Sequence, residues 1–162
     1  MSTSDALERA ELRDLVADYA AATASWRPLI RHDAQQRVFE PLPSIPEVEA
    51  WLICWMPGQD TGFHDHDLSS GAVTVVQGVL REERLAWGGG VSANDYHAGD
   101  VFDFSPQDIH RVVHPGGEPT VSIHVYSPRL RRMGAYSVGD GGAMQRHPLA
   151  YGEELRPLSP AG

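Results

Sequence analysis

The chain has 162 residues, 41% of them hydrophobic and 22% charged, which suits a single soluble domain with its own core. A formal net charge of -9 removes the electrostatic footprint of a nucleic-acid binder and argues against an anionic membrane surface. Cys54 is the sole cysteine, so neither an intrachain disulfide nor a multi-cysteine zinc site is available. The N-terminal stretch has no apolar h-region, and no apolar run approaches the roughly 18 residues of a spanning helix, so a cytoplasmic location is expected.

Residues 4–22 (SDALERAELRDLVADYAAA) read as one amphipathic helix. Leu7, Leu12, Leu15, Val16 and Tyr19 recur at helical spacing, with Ser4 as N-cap and Asp5 in the first turn. From residue 37 the texture changes to short β-branched or aromatic runs. These are RVFEPL, VEAWLICWM, GAVTVVQG, VLREERLAW, YHAGDVFDF, DIHRVVH and TVSIHVYSP, followed by the weaker GAYSV and GAMQR. Turn chemistry separates them at PGQDTG, GGGVSAND, SPQD and PGGEP. The spacing predicts an all-β sandwich or barrel behind an N-terminal helix, not a βαβ sheet. Three segments are expected: a helical one at 1–25, the main domain at 26–146, and a Pro- and Gly-rich surface tail at 147–162.

The chemistry concentrates around GFHDHDLSSGAVTVVQGVL, residues 62–80. On a strand, His64 and His66 share a face and Asp65 points the opposite way. An HxH pair alone is more often a solvated rim than a metal site, and the context decides. His110 follows a further strand and a Pro turn, so three imidazoles can meet as a facial set with open positions. Gly58, His64, His66 and Gly78 form one spaced pattern, and Gly99, Pro106 and His110 a second. Together they resemble the two motifs of the cupin superfamily, a small jelly-roll barrel with a metal in its lumen. Where the first motif usually supplies a glutamate ligand, this chain has Ser70 and Gly71. Three neutral imidazoles leave the charge of a divalent cation uncompensated, and such a centre favours an anionic donor, above all a thiolate.

A second stretch, TVSIHVYSP at 120–128, alternates strictly. Val121, Ile123 and Val125 make an apolar face; Ser122, His124 and Tyr126 make the other. Those three side chains are either solvated or a hydrogen-bond chain that aims a phenol at a ligand. With HDH, LREERLAW and SIHVYSP in this order, residues 26–136 resemble the cysteine dioxygenase family of thiol dioxygenases.

The resemblance implies Fe(II) held by His64, His66 and His110, with Ser122, His124 and Tyr126 as the outer catalytic triad. Tyr126 would also bind the substrate. In mammalian members a cysteine seven residues after the first ligand is cross-linked to the tyrosine; here Gly71 stands there, as in bacterial members, and no thioether is expected. The implied reaction is oxidation of L-cysteine with O2 to cysteine sulfinic acid. Cysteine-selective relatives carry an upstream arginine for the substrate carboxylate, and Arg31 is the foremost candidate, then Arg27 and Arg37, with Arg81 or Arg129 as replacements from elsewhere. The interval from Arg31 to His64 is longer than the family pattern implies, with PLPSIPEVE reading as an inserted loop. The alternatives are a dioxygenase of 3-mercaptopropionate or another mercapto acid, a different metal-dependent cupin activity, and a non-catalytic metal-binding cupin sensor. Neither nucleic acid nor membrane is expected as partner, and the oligomeric state is open. Trp51, Trp55 and Trp87 read as packing, Cys54 as a buried small hydrophobe, and His114 as solvated.

Overall fold

A computed structural model describes residues 6–86, 88–150 and 155–158. Its first element, helix α1 (Arg9–Ala21), is capped by Glu8 in a reciprocal box with Glu11. Ser4 and Asp5, expected at the start of this helix, lie outside the described residues. A single turn of helix, α2 (Thr23–Trp26), follows. Apart from short 3-10 turns at Arg27–Leu29 and Asp140–Gly142, the remaining elements are strands β1 (Val38–Leu42), β2 (Glu49–Trp55), β3 (His64–Asp65), β4 (Ser70–Gln77), β5 (Val79–Leu85), β6 (Val91–His97), β7 (Val101–Phe104), β8 (His110–Val113), β9 (Thr120–Ser127), β10 (Arg132–Val138) and β11 (Met144–Ala150).

The strands form two antiparallel sheets, β1-β2-β9-β4-β7 and β11-β10-β3-β8-β5-β6. Two apolar clusters lie on opposite faces of the first sheet. Leu12 and Val16 of α1 pack with Leu52, Cys54, Ala72, Val121, Ile123 and Val125 on one face. Ile53, Trp55, Val73, Val75, Phe102, Phe104 and Tyr126 fill the lumen between the sheets together with Leu80 and Val112. Strand β9 is therefore buried along its whole length, and the Ser122, His124 and Tyr126 face looks into the barrel instead of into water. Cys54 is buried on the helix side, as its apolar reading predicts.

Three local expectations differ. GGGVSAND reads as a turn, yet Val91–Asp95 belong to β6, an exposed edge strand whose polar residues carry no apolar alternation. YHAGDVFDF splits at Gly99, where a positive φ ends β6 and the chain turns into β7. The boundary expected at residue 146 falls inside β11, which pairs with β10 from Met144 through Ala150. The stretch PLPSIPEVE overlaps β1 and β2 and forms the turn between them. No helix among the described residues is long and apolar enough to cross a membrane.

Candidate metal and thiol site

His64, His66 and His110 converge in the lumen, all essentially buried. Strand β3 pairs with β8 at a single register position, His64 opposite His110, and that pairing brings the two histidine segments together. Ring centroids are 4.6 Å apart for His64 and His110, 4.8 Å for His64 and His66, and 5.0 Å for His66 and His110. Each ring offers one ligand atom, and the three atoms lie within 4.8 Å of one another. Among the described residues, no aspartate, glutamate or cysteine joins this group.

The rings are arranged as ligands need to be. His64 Nδ1 donates to the Gly62 carbonyl at 2.9 Å, and His110 Nδ1 donates to Glu82 at 2.7 Å, which leaves Nε2 of both with a free lone pair. Gly62 has φ +68°, and a Cβ there would meet Pro157 Cα at 2.8 Å, so only glycine fits this turn. His66 Nδ1 is buried and has no hydrogen-bond partner among the described residues. Burial, reinforced by the neighbouring imidazoles, holds the pKa of His64 and of His66 well below the ordinary histidine value. Both are therefore neutral, the form that binds a metal. A cluster of neutral, oriented imidazoles with an orphaned nitrogen fits a metal ion.

Asp65 does point away from the lumen. It accepts two hydrogen bonds from Arg146, at 2.9 and 3.0 Å, and one from the Tyr136 hydroxyl at 2.5 Å. Burial would raise its pKa, and these donors bring it below the ordinary carboxylate value. The two-residue strand that carries the HxH pair is thus clamped from behind by β10 and β11.

Beside the cluster runs a hydrogen-bond chain. Trp55 Nε1 donates to Ser122 Oγ at 2.9 Å, Ser122 Oγ lies 2.7 Å from His124 Nε2, and His124 Nδ1 lies 3.3 Å from the Tyr126 hydroxyl. Assigned from the network, one arrangement uses every donor. Ser122 donates to Nε2, Nδ1–H donates to Tyr126, and the Tyr126 O–H is left to point at a ligand in the lumen. The reverse arrangement would strand the Ser122 hydroxyl proton in the core. Burial, aided by Arg37, pushes the His124 pKa down to about 3, and burial raises that of Tyr126, so the imidazole is neutral and the phenol keeps its proton. Trp55, read from sequence as packing, is both core and the first donor of this chain.

The expected substrate arginine, Arg31, sits at the rim of the cavity. It is 69% exposed and ion-paired with Glu40 at 2.5 Å. A carboxylate clamp needs a desolvated fork, and a guanidinium mostly in water does not provide one. Arg37 is the buried arginine. Its guanidinium carbon stacks 5.1 Å from the Phe39 ring and 5.0 Å from the Trp55 ring, and it donates to the Leu155 carbonyl. It lines the same cavity, of about 570 Å³, as the three histidines, His124 and Tyr126. Arg27 stacks on Trp26, Arg81 pairs with Asp95, and Arg129 holds the β1–β2 turn. His114, expected in solvent, is buried and bridges the Glu118 carbonyl and the Gly116 amide.

Gly71 pairs with Tyr126 across β4 and β9, and a Cβ at Gly71 would lie 2.3 Å from Phe104 Cζ. Phe104 fills that space and stacks on His66 with centroids 4.2 Å apart. The volume a cross-linking cysteine would need is taken.

The sequence pattern described as cysteine dioxygenase type I matches residues 1–138. The chain belongs to that family. Membership in the cysteine dioxygenase family implies a dioxygenase, and the three-histidine cluster fits a metal ion. Solved structures agree on the fold. TT1209 from Thermus thermophilus has a TM-score of 0.57 at 17% identity, covering 64% of this chain and 93% of that one. A conserved protein with a double-stranded β-helix domain from Klebsiella pneumoniae has a TM-score of 0.55 at 16% identity, covering 74% and 91%. A cupin superfamily protein from Desulfitobacterium hafniense has a TM-score of 0.54 at 14% identity, covering 65% and 89%. At such identities the likeness carries the architecture, a cupin barrel.

Proposed function

We propose that the protein is an iron-dependent thiol dioxygenase that oxidises L-cysteine with O2 to cysteine sulfinic acid. The observation that carries this is the pairing of three buried, carboxylate-free imidazoles with a Ser-His-Tyr chain in one cavity. Iron(II) held by His64, His66 and His110 would supply a Lewis acid that favours thiolate over thiol and a redox centre for dioxygen. Both oxygen atoms end on sulfur, whose four electrons reduce O2, so no external reductant enters.

The chain's own residues bind, orient and exclude water. Arg37 offers a buried guanidinium fork for the substrate carboxylate, and its stacking on Phe39 and Trp55 fixes that fork in place. Taking Arg37 in place of Arg31 also shortens the interval to His64. Tyr126 donates its O–H to the bound substrate, with Trp55, Ser122 and His124 fixing the direction of that hydrogen. Phe104, Val73 and Ile53 line the reacting side of the cavity with apolar surface.

One observation favours a second substrate, a mercapto acid with a further carboxylate. Besides Arg37, Arg131 and Arg132 line the cavity, and among the described lining residues Asp33 is the one carboxylate, in a protein of net charge -9. Product analysis under ¹⁸O2 tests the main proposal with iron-loaded protein and L-cysteine. The expected result is cysteine sulfinate carrying two heavy oxygens; a product with one or none contradicts it. A mercaptosuccinate turnover well above that of L-cysteine would select the second substrate.

A further inference from the structure

We propose that Glu82 is the positioning residue for the metal centre: it holds His110 with Nε2 presented to the cluster and supplies, one residue back from the ligands, the negative charge that the missing cupin glutamate would have supplied directly. This rests on reading the three histidines as metal ligands.

Glu82 is 3% exposed in the middle of β5, between Leu80 and Arg84 on the same strand face. Strand β5 pairs with β8 in a register that sets Arg84 opposite His110 and Glu82 opposite Val112. The Glu82 carboxylate therefore reaches His110 diagonally, and its Oε2 accepts from His110 Nδ1 at 2.7 Å. The same oxygen accepts from Arg84 Nη2 at 2.8 Å.

Arg84 is anchored in turn. It donates to the Asp103 carbonyl at 2.7 Å and reaches the Asp108 carboxylate at 3.4 Å. The Asp103 carboxylate is gripped by Arg13 at 3.0 Å and Arg9 at 3.5 Å, both on α1. A chain of polar contacts, ionic except where Arg84 meets the Asp103 backbone carbonyl, thus runs from the N-terminal helix to the third imidazole.

A carboxylate is costly to bury, and an apolar residue following the Leu80 face would pack this position more cheaply. Glu82 offers what an apolar residue does not. It fixes the Nδ1–H tautomer of His110, makes Nε2 a stronger donor, and offsets part of a cation's charge without taking a coordination position. The three histidines are held differently. His64 leans on a backbone carbonyl and, among the described residues, His66 Nδ1 has no partner and His110 alone carries an ionic support.

Anaerobic iron(II) titration against a competing chelator, beside thermal melts of the metal-free protein, tests this on Glu82→Ala, Glu82→Gln and Glu82→Asp. Glu82→Ala should bind iron about 10–100-fold more weakly. Glu82→Gln keeps an acceptor for Nδ1–H but loses the charge and should bind iron about three- to tenfold more weakly, less of a loss than Glu82→Ala, whereas Glu82→Asp keeps the charge but is one methylene short of His110 and should lose at least about tenfold. Should Glu82→Ala fail to fold, the Gln and Asp pair decides alone. Iron affinity unchanged in Glu82→Asp, or falling across the variants only in step with the metal-free melting temperature, overturns the assignment. A wild-type protein that takes up no iron overturns the metal reading itself.

Discussion

Tyr126 is where the geometry makes its narrowest demand. Its hydroxyl accepts from His124, and its own proton is the one donor of the chain left for a ligand. Tyr126→Phe removes that donor and little else, so the variant should keep its iron while turnover falls about 100-fold, as measured by iron content and steady-state rate. Arg37 and Arg31 make opposite forecasts. Arg37→Lys keeps the charge and loses the fork, and kcat/KM for L-cysteine should drop by at least about tenfold. Arg31→Ala breaks only a surface pair and should change it by about twofold or less. At this scale the sequence is legible where chemistry repeats a spacing. His64, His66, Ser122, His124 and Tyr126 sit on alternating positions, and alternation fixes a shared face. Glu82 is not legible as a site residue, and Arg37, named third among the arginine candidates, is not legible as the buried one, because nothing local distinguishes a buried charged side chain from a solvated one on a half-polar strand.

Strand β3 is only two residues long, yet it carries the HxH pair between β8 and β10. Its position depends on Asp65, whose donors Arg146 and Tyr136 come from the last two strands. Asp65→Asn keeps the size and loses the charge that Arg146 reads. The variant should be destabilised by about 2 kcal/mol in urea unfolding, with weaker iron binding as a consequence. That Asp65 faces away from the histidines follows from the period of two. That its partners lie so close to the segment expected as a loose tail does not, because β11 is mostly exposed and lacks an apolar pattern. The edge strand β6 is illegible in the sequence for the same reason. Strands β2, β4 and β9 are visible because they bury at least one face.

Taken whole, the barrel buries three neutral imidazoles, His64, His66 and His124, and this sets the pH response of the metal-free protein. Each has a folded pKa below its unfolded value near 6.5, so the unfolded chain binds more protons as pH falls. Stability is therefore fully present above about pH 6.5 and is lost as pH drops towards the folded values. For His124, whose folded pKa is about 3, the loss at pH 5.5 is on the order of 1 kcal/mol, and the other two add in the same direction. Denaturant unfolding at about pH 7.5 and pH 5.5 should show the difference; equal stabilities would mean the imidazoles are not buried neutral. Iron held by His64, His66 and His110 should add stability at both pH values, since it binds the folded site in preference to the unfolded chain.

The direct measurement is oxygen consumption by the iron-loaded protein offered L-cysteine, 3-mercaptopropionate and mercaptosuccinate in separate runs. A thiol dioxygenase working at the three-histidine site takes up one O2 per thiol consumed, fastest with L-cysteine, and stops when iron is removed. Stoichiometric iron without oxygen uptake on any of the three thiols contradicts it, leaving a metal-binding barrel whose Ser-His-Tyr chain serves something other than thiol oxidation.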